Sequence, residues 1–552
     1  MKKNKYDLIE IIALLLIFLV GAVIFFYKLD KIPSGFYIDE ALPGYNAYSI
    51  LLTGRDEFGK GFPMFFRFYG SFNPPLFTYL VASSIAIFGL NIFAVRAPAA
   101  LAGLLSGLVV FFLLKNSLFL KRRASVFLGT LFFVISPWII LHGRVGYEVS
   151  LAFLLFALGC LFLWLGITKP KRLILATIFL SLSTYAAYAE RFIVPLVIFG
   201  FVLVFRKVLF RKSHLRSLKT SLVILLVTQI PHLILLTTPA FFPKANLWGF
   251  EDLGGFWGKL GLAREFFSRY FVYFSPRSLF FLPDPDPQRS IPALSVFYPW
   301  MIIPYFLGIY NFWKRRGEDF SKFIILLLVL TPIPAALTRD PFATHRALPA
   351  LLPLIVVIAA GVDMAIKRLG FRIWFPLLVI TVIWSFVLLW RSYFVFLPIE
   401  RARLWGYGAG ELAEQIRQRP EEKFLIDESR TKPTYINLAF FSKYPPEKFQ
   451  KEVDQNVKEN YYASVDFNSH YRFANIETRG IDWEKDIYKA QILVGDEFAI
   501  SPQQAKEHFL EEVFEIKDPL GQIVFRGFRT NPRQKCASLP LPTIDCTNSS
   551  TF

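Results

Sequence analysis

Two acids stand side by side in Phe36-Tyr-Ile-Asp-Glu-Ala-Leu-Pro-Gly-Tyr45. Adjacent carboxylates among aromatic and apolar residues can hold one of the pair partly desolvated, which favours proton uptake from an acceptor group. Asp39 and Glu40 are therefore the first candidates for acid–base chemistry, although two acids at the start of a helix are equally what its dipole attracts. A third acid, Glu148, ends His142-Gly-Arg-Val-Gly-Tyr-Glu148 just ahead of an apolar run, where a helix-start acid is also expected. Cations occupy similar positions beside apolar runs: Arg144 in the same segment, Arg191 in Tyr185-Ala-Ala-Tyr-Ala-Glu-Arg-Phe192, and His345 with Arg346 in Arg339-Asp-Pro-Phe-Ala-Thr-His-Arg. Each alone reads as a contact to lipid headgroups. Together on one face they would suit a reaction in which a carboxylate takes an acceptor proton and guanidinium groups hold a departing phosphate.

Whether they share a face depends on the elements that carry them. The 552 residues are 54% hydrophobic and 17% aromatic, with a mean hydropathy of +0.44. That is more apolar surface than a soluble core can bury, so the excess needs a bilayer. Runs near 8–27, 94–114, 125–141, 151–167, 173–189, 192–206, 220–238, 297–313, 323–338, 347–366 and 373–396 predict about eleven transmembrane helices. The net charge of +19 lies mostly in short loops between these runs, which argues against nucleic acid as a partner. The stretch 76–90, opened by Pro74-Pro75, decides the topology. If it does not cross, the basic loops at 115–123, 169–172, 206–219, 314–316 and 367–372 all share the side of the N-terminal lysines, as the positive-inside bias requires. We therefore expect a juxtamembrane or re-entrant helix there. The N-terminus is then cytoplasmic, and segments 28–93, 142–150, 239–296 and 338–347 lie on the outer face of a multi-pass protein of the cell membrane.

The same parity exports everything after Leu397. Residues 398–530 read as a soluble extracytoplasmic α/β domain following a membrane module over 1–397. Strands are predicted at Lys423–Ile426, Gln491–Val494 and Gln522–Phe525, and helices near 403–418, 445–457 and 502–514, the last opened by a capping box of Ser501 and Gln504. Residues 531–552 read as a flexible tail, in which Cys536 and Cys546 either pair or remain free thiols. Gly255 to Phe274 mixes aromatic and basic residues as a helix lying in the headgroup region does.

These motifs in this order resemble the GT-C membrane glycosyltransferases, specifically the bacterial relatives of protein O-mannosyltransferases and aminoarabinose transferases. The likeness rests on Asp39-Glu40 after a first helix, Asn73-Pro-Pro-Leu76, Val95-Arg-Ala-Pro-Ala-Ala-Leu-Ala-Gly103, Gly143-Arg-Val-Gly-Tyr-Glu148, Phe274-Ser-Pro-Arg-Ser-Leu-Phe-Phe281 and Thr344-His-Arg-Ala-Leu-Pro-Ala350. Asn73 stands where that family usually has histidine, and Glu148 where Asp is common. The resemblance implies transfer of one sugar, with inversion, from a polyprenyl-phosphate donor to a protein, lipid or cell-wall glycan on the outer face. It also implies Asp39 as general base, Glu40 and Glu148 as orienting groups or supports for a metal, and Arg346, His345, Arg191 and Arg144 at the donor phosphate. The branch resembled needs no cofactor, though a divalent metal stays open.

The competing classes are an oligosaccharyltransferase, a transporter or flippase for lipid-linked sugars, and a surface receptor. A transporter would place ionisable groups near the bilayer midplane, whereas these lie at the ends of apolar runs. A receptor has no need of so many spans.

Overall fold

The apolar runs become helices whose ends sort the charges into two layers. The computed structural model describes residues 8–68, 71–238, 241, 255–429, 433–452, 455–463 and 470–538. In its membrane part are α1 (Leu8–Phe26), α2 (Ile38–Thr53), α3 (Leu76–Phe88), α4 (Ile92–Asn116), α5 (Arg123–Val134), α6 (Pro137–Gly143), α7 (Val149–Gly166), α8 (Arg172–Thr184), α9 (Glu190–Leu209) and α10 (Lys212–Leu235). Helices Gly255–Val272, Ile302–Lys314, Asp319–Leu330, Leu351–Leu369 and Phe371–Leu389 follow. Among the described residues, eight helices are long and apolar enough to cross a bilayer, and α5 with α6, bent by 47°, makes a ninth if the pair is one span. The expected runs near 173–189 and 297–313 form helices of only 13 residues, α8 and Ile302–Lys314. Length and composition thus support eight or nine crossings where about eleven were expected, within a multi-pass membrane protein.

Pro137 explains the bend. It has no N–H to donate to the Phe133 carbonyl in the turn before it, and in the break the Ile135 carbonyl accepts from the Tyr298 hydroxyl at 2.7 Å. Elsewhere small residues let helix backbones touch: a Cβ on Gly308 would meet the Val357 carbonyl oxygen at 1.9 Å, and one on Gly361 the Pro304 oxygen at 1.7 Å.

Five contacts tie the basic loops into one end of the bundle. The Trp164 indole donates to the Asn116 carbonyl at 2.9 Å, and His214 Nε2 lies 3.1 Å from the Ile167 carbonyl. Arg315 donates to the Phe119 carbonyl at 2.9 Å, Arg122 to the Asp363 carbonyl at 2.9 Å, and Arg123 reaches Glu10 at 2.5 Å. Glu10 is in the first turn of α1, so the start of that helix shares this end. Asp363, an ionisable group that a transporter could have used, is engaged here with Arg122 and Ser125.

The helix α3 stays at the opposite end. Its first N–H, on Leu76, donates to the Tyr185 carbonyl just beyond α8 at 3.1 Å, and the 25-residue α4 that follows it finishes at Asn116, in the basic layer. A helix of that length covers about 37 Å, so α4 starts far from the basic layer. At 13 residues α3 is shorter than a bilayer crossing needs.

The C-terminal part forms a six-stranded mixed sheet in the order β4-β5-β3-β6-β8-β7, with β3 (Phe424–Ile426), β4 (Tyr471–Phe473), β5 (Ile476–Thr478), β6 (Ile492–Gly495), β7 (Glu511–Lys517) and β8 (Ile523–Arg529). The three strands expected from sequence are its adjacent centre, β3, β6 and β8. The capping box of Ser501 and Gln504 is present, but its helix, Pro502–Glu507, stops well short of 514. Phe509 takes a left-handed φ of 55°, and Glu511–Lys517 alternates inward Phe514 and Ile516 with charged residues, a period that pairs with β8. The expected helix 445–457 is two short ones, Pro446–Glu452 and Gln455–Glu459. The tail contains a helix, Pro532–Ala537, and Cys536 is disulfide-bonded, while Cys546 and the rest of the tail lie outside the described residues. A small hairpin of β1 (Phe66–Phe68) and β2 (Ser71–Asn73) precedes α3.

This sheet region packs on the segment around α2. Phe36 lies 4.5 Å from the Phe440 ring, Asn437 donates to the Phe36 carbonyl at 2.5 Å, and the Tyr461 hydroxyl reaches Asp56 at 2.5 Å. Beside Asp56, the fully buried Glu57 accepts from Asn46 at 3.2 Å and from the Tyr435 hydroxyl at 3.3 Å. Burial pushes Glu57 up to about 8 and Asp56 to about 6. The native state therefore keeps the Glu57 proton over a range in which the unfolded chain, titrating near 4.5, has lost it. Stability conferred by this contact is present below about pH 4.5 and falls as pH rises through about 8. Thermal unfolding of Glu57→Gln is expected to show a flatter pH profile than the parent, with a Tm a few degrees higher on the alkaline side.

Candidate functional site

The site is built around a buried ion pair. Tyr37 is extended, α2 starts at Ile38, and Glu40 in its first turn reaches back to the Tyr37 N–H at 3.3 Å, one half of a capping box. Its carboxylate also accepts from Arg96 Nε at 2.7 Å, Arg96 Nη2 at 2.9 Å and the Gly146 N–H at 2.7 Å. Arg96, on α4, donates its remaining hydrogens to the carbonyls of Leu29 and Pro33, both at 3.0 Å, and Gly35 at 2.9 Å. All five guanidinium donors are thereby satisfied, and neither side chain has any exposed surface. A Cβ on Gly146 would lie 2.8 Å from Val95 and 3.3 Å from the Glu40 carboxylate, so glycine is what lets the 143–148 turn approach. Glu40 joins α2, α4 and this turn as a clasp, with four donors around its carboxylate.

That clasp brings the other two acids together. Asp39 is half-buried beside Tyr37 and Tyr147, whose rings lie 6.5 Å apart and both lean on Trp405. Glu148 is the N-cap residue of α7. The Tyr147 phenol is raised by its burial and then by the negative charges of Asp39, Glu40 and Glu148. Residues 39 and 148 thus flank one phenol at one end of the bundle, opposite the basic layer.

The cations divide into three environments. Arg144 donates to the carbonyls of Ile24, Tyr27 at 2.7 Å and Ile32 at 3.3 Å, and lies over the rings of Tyr393 and Phe394. Both its terminal nitrogens thereby bind backbone oxygens at and just after the end of α1. Arg346 pairs with Asp340, as does Arg289 at 3.0 Å, and His345 Nδ1 lies 3.4 Å from Arg289. Arg289 also faces Asp286 at 3.1 Å and Asp284 at 3.6 Å. Burial raises Asp340, but the guanidiniums of Arg289 and Arg346 outweigh it and hold this carboxyl below its ordinary range. The 284–289 loop adjoins the acids, for Gln288 bonds the Tyr37 hydroxyl and donates to the Leu404 carbonyl at 2.7 Å. Arg191, at the start of α9, lies between the rings of Phe65 and Tyr188, each 4.3 Å from its guanidinium carbon. The adjacent Glu190 is close enough to Glu148 to feel its charge.

Two members of the site escaped the sequence. Arg96 stood only inside the Val95–Gly103 motif with no role of its own, and Arg289 only as the end of the acid- and proline-rich Asp284-Pro-Asp-Pro-Gln-Arg. Helix Gly255–Val272, expected at the headgroups, exposes Phe256, Trp257, Phe267 and Phe271, and its Arg269 donates to the Thr338 carbonyl beside the Asp340 cluster at 2.5 Å. Residues 239–240 and 242–254 ahead of it lie outside the described residues. Among the described residues no three His, Cys, Asp or Glu side chains form a group that could hold a metal ion.

Comparison with known proteins locates the fold. Residues 73–235 match the model of the dolichyl-phosphate-mannose-protein mannosyltransferase family. The apo crystal structure of ArnT from Cupriavidus metallidurans superposes with a TM-score of 0.57 at 14% identity, covering 93% of this chain and 97% of that one. ArnT from the same organism bound to undecaprenyl phosphate gives 0.56 at 14% identity, covering 96% and 99%. No curated protein sequence matches the chain.

Proposed function

We propose, from the premise that this chain has the fold of the GT-C membrane glycosyltransferases, that it transfers one sugar from a polyprenyl-phosphate donor to an acceptor hydroxyl or amine on the outer face of the cell membrane. The observation that carries the reading is the placement of Asp39 and Glu148 around Tyr147, at the end of the bundle away from the basic loops. The family match over 73–235 and the undecaprenyl phosphate bound by ArnT support the donor class. The positive-inside bias supports an outer location for the acids, as does a disulfide at Cys536.

In this mechanism Asp39 removes the acceptor proton as the acceptor attacks C1 of the sugar from the side opposite the phosphate. The C1–O bond to phosphate breaks, its electron pair leaves with the phosphate, and configuration inverts. Glu148 orients the acceptor or the sugar. Glu40 acts through Arg96 and Gly146 as a positioning residue, and Arg144 holds the end of α1 from which that loop departs. Arg346 and His345, joined by Arg289, present a polar cluster in which phosphate oxygens compete with Asp340 for the guanidiniums. The sheet region covers the outer loops and fixes Phe36, next to the acid pair.

The test is direct. Purified protein in lipid nanodiscs is given a panel of radiolabelled polyprenyl-phosphate sugars with cell-envelope extract as the acceptor source. Transfer of label from at least one donor is expected, and no transfer from any of them, with the protein folded, sinks the proposal.

A further inference from the structure

The left-handed position that closes a helix is usually glycine, because a β-carbon there is strained. Helix Tyr435–Phe441 closes instead on a lysine. Beyond the C-cap Ser442, the Lys443 N–H donates to the Phe440 carbonyl at 3.1 Å and the Tyr444 N–H to the Ala439 carbonyl at 2.9 Å, and Lys443 takes a φ of 50°. Glycine would serve this turn better, so the turn does not account for the lysine.

Its surroundings do. Lys443 lines a cavity of about 520 Å³ between the sheet region and the membrane part, a volume in the range of small-molecule sites. Leu90 and Phe93, where α3 turns into α4, and Phe440 and Phe441 give it apolar walls, and Asp30, four residues past α1, adds a carboxylate. Asn91 also lines it, but its side chain is engaged in capping α4, accepting from the Ala94 N–H at 2.9 Å and donating to the Phe88 carbonyl at 2.7 Å. Asp30 and Lys443 are exposed, and neither forms an ion pair among the described residues. The cavity adjoins the end of α1 and the start of α4, away from the basic loops, which places it at the level of the lipid headgroups.

A purely apolar occupant leaves both charges unanswered, and an anionic lipid answers Lys443 but is repelled by Asp30. A zwitterion with a phosphate beside a primary ammonium answers both. We infer that this cavity binds one phosphatidylethanolamine of the surrounding bilayer, with its phosphate on the Lys443 ammonium, its own ammonium on the Asp30 carboxylate and an acyl chain along the apolar walls. The site is separate from the one proposed for sugar transfer and does not depend on the donor class. It touches the same loop, however, because Arg96 binds the carbonyls of Leu29 and Pro33 on either side of Asp30, and Phe440 packs on Phe36 at 4.5 Å. A lipid seated there joins the sheet region to the segment that leads into Asp39.

The experiment counts bound lipids by native mass spectrometry. The full chain, stripped of lipid in detergent, is titrated with phosphatidylethanolamine, phosphatidylcholine and phosphatidylglycerol of matched acyl chains. One phosphatidylethanolamine is expected to bind about tenfold more tightly than either of the others, because the quaternary ammonium of phosphatidylcholine has no N–H for Asp30 and phosphatidylglycerol has no cation. Lys443→Gly is expected to weaken phosphatidylethanolamine about tenfold while the Tm of the lipid-free protein holds or rises, since glycine relieves the left-handed turn. Asp30→Asn is expected to weaken phosphatidylethanolamine several-fold and to leave phosphatidylglycerol as tight as before or tighter. Should Lys443→Gly fail to fold, Lys443→Asn, which tolerates the same turn, carries the comparison. Phosphatidylcholine or phosphatidylglycerol binding as tightly as phosphatidylethanolamine, or phosphatidylethanolamine affinity unchanged in the folded variants, overturns the assignment. Sugar transfer does not enter this readout, so its absence sinks only the proposed function, and loss of lipid selectivity sinks only this site.

Discussion

Asp39→Asn is expected to lower sugar transfer by at least about a hundredfold, the usual contribution of a positioned general base, while leaving the Tm of the purified protein close to that of the parent. The amide has the shape of the carboxylate and can accept a hydrogen bond, but it cannot take the acceptor proton. Asp39 is half-buried beside Tyr37 and Tyr147 and is not part of the Arg96 clasp, so its removal leaves that clasp intact. Donor affinity is expected to hold, because the groups assigned to phosphate lie elsewhere. A variant that transfers sugar at the parent rate removes Asp39 from the chemistry.

Arg96→Met is expected to do something different, namely to lose both stability and transfer. Deleting one partner of a buried pair leaves the other charge uncompensated, at about 3–5 kcal/mol. Here the orphans would be the Glu40 carboxylate and the carbonyls of Leu29, Pro33 and Gly35, all of which the guanidinium now satisfies. The segment 29–35 leads directly into Tyr37 and Asp39, so its displacement moves the base. Thermal unfolding in nanodiscs and label transfer should fall together. The double variant Arg96→Met with Glu40→Met should recover part of the stability and none of the transfer, since it removes the buried charge without restoring the loop. A single Arg96→Met as stable as the parent contradicts the clasp.

Much of this architecture was legible in the order of residues, and the reasons are local. Composition required a bilayer, runs of about twenty apolar residues marked most of the spans, and the alternation of basic loops fixed which ends belong together. Trp164 on Asn116, Arg315 on Phe119 and Arg123 on Glu10 are that alternation realised in contacts. The central strands of the sheet and the cap at Ser501 were equally visible, because apolar runs and caps are short-range signals. Less legible were elements whose character depends on a partner. Glu511–Lys517 has enough charge to pass for a helix until β8 lies beside it, and α8 is shorter than its apolar run because the chain leaves the helix at Tyr185.

Residue order establishes that this protein crosses a membrane many times, and it puts the notable acids and cations at the ends of apolar segments. What surrounds each of them is set by the fold. Asp39 and Glu40 are neighbours of the same charge in the same motif, yet one stands half-buried beside two phenols and the other is enclosed by four donors. Arg144 and Arg191 are both single arginines near helix ends, yet one meets carbonyl oxygens and the other aromatic rings and the Tyr188 phenol. A side chain's charge is a property of its residue type, but whether that charge is already compensated depends on groups brought from distant positions, 96 and 146 to 40, or 65 to 191. No spacing along the chain records that meeting.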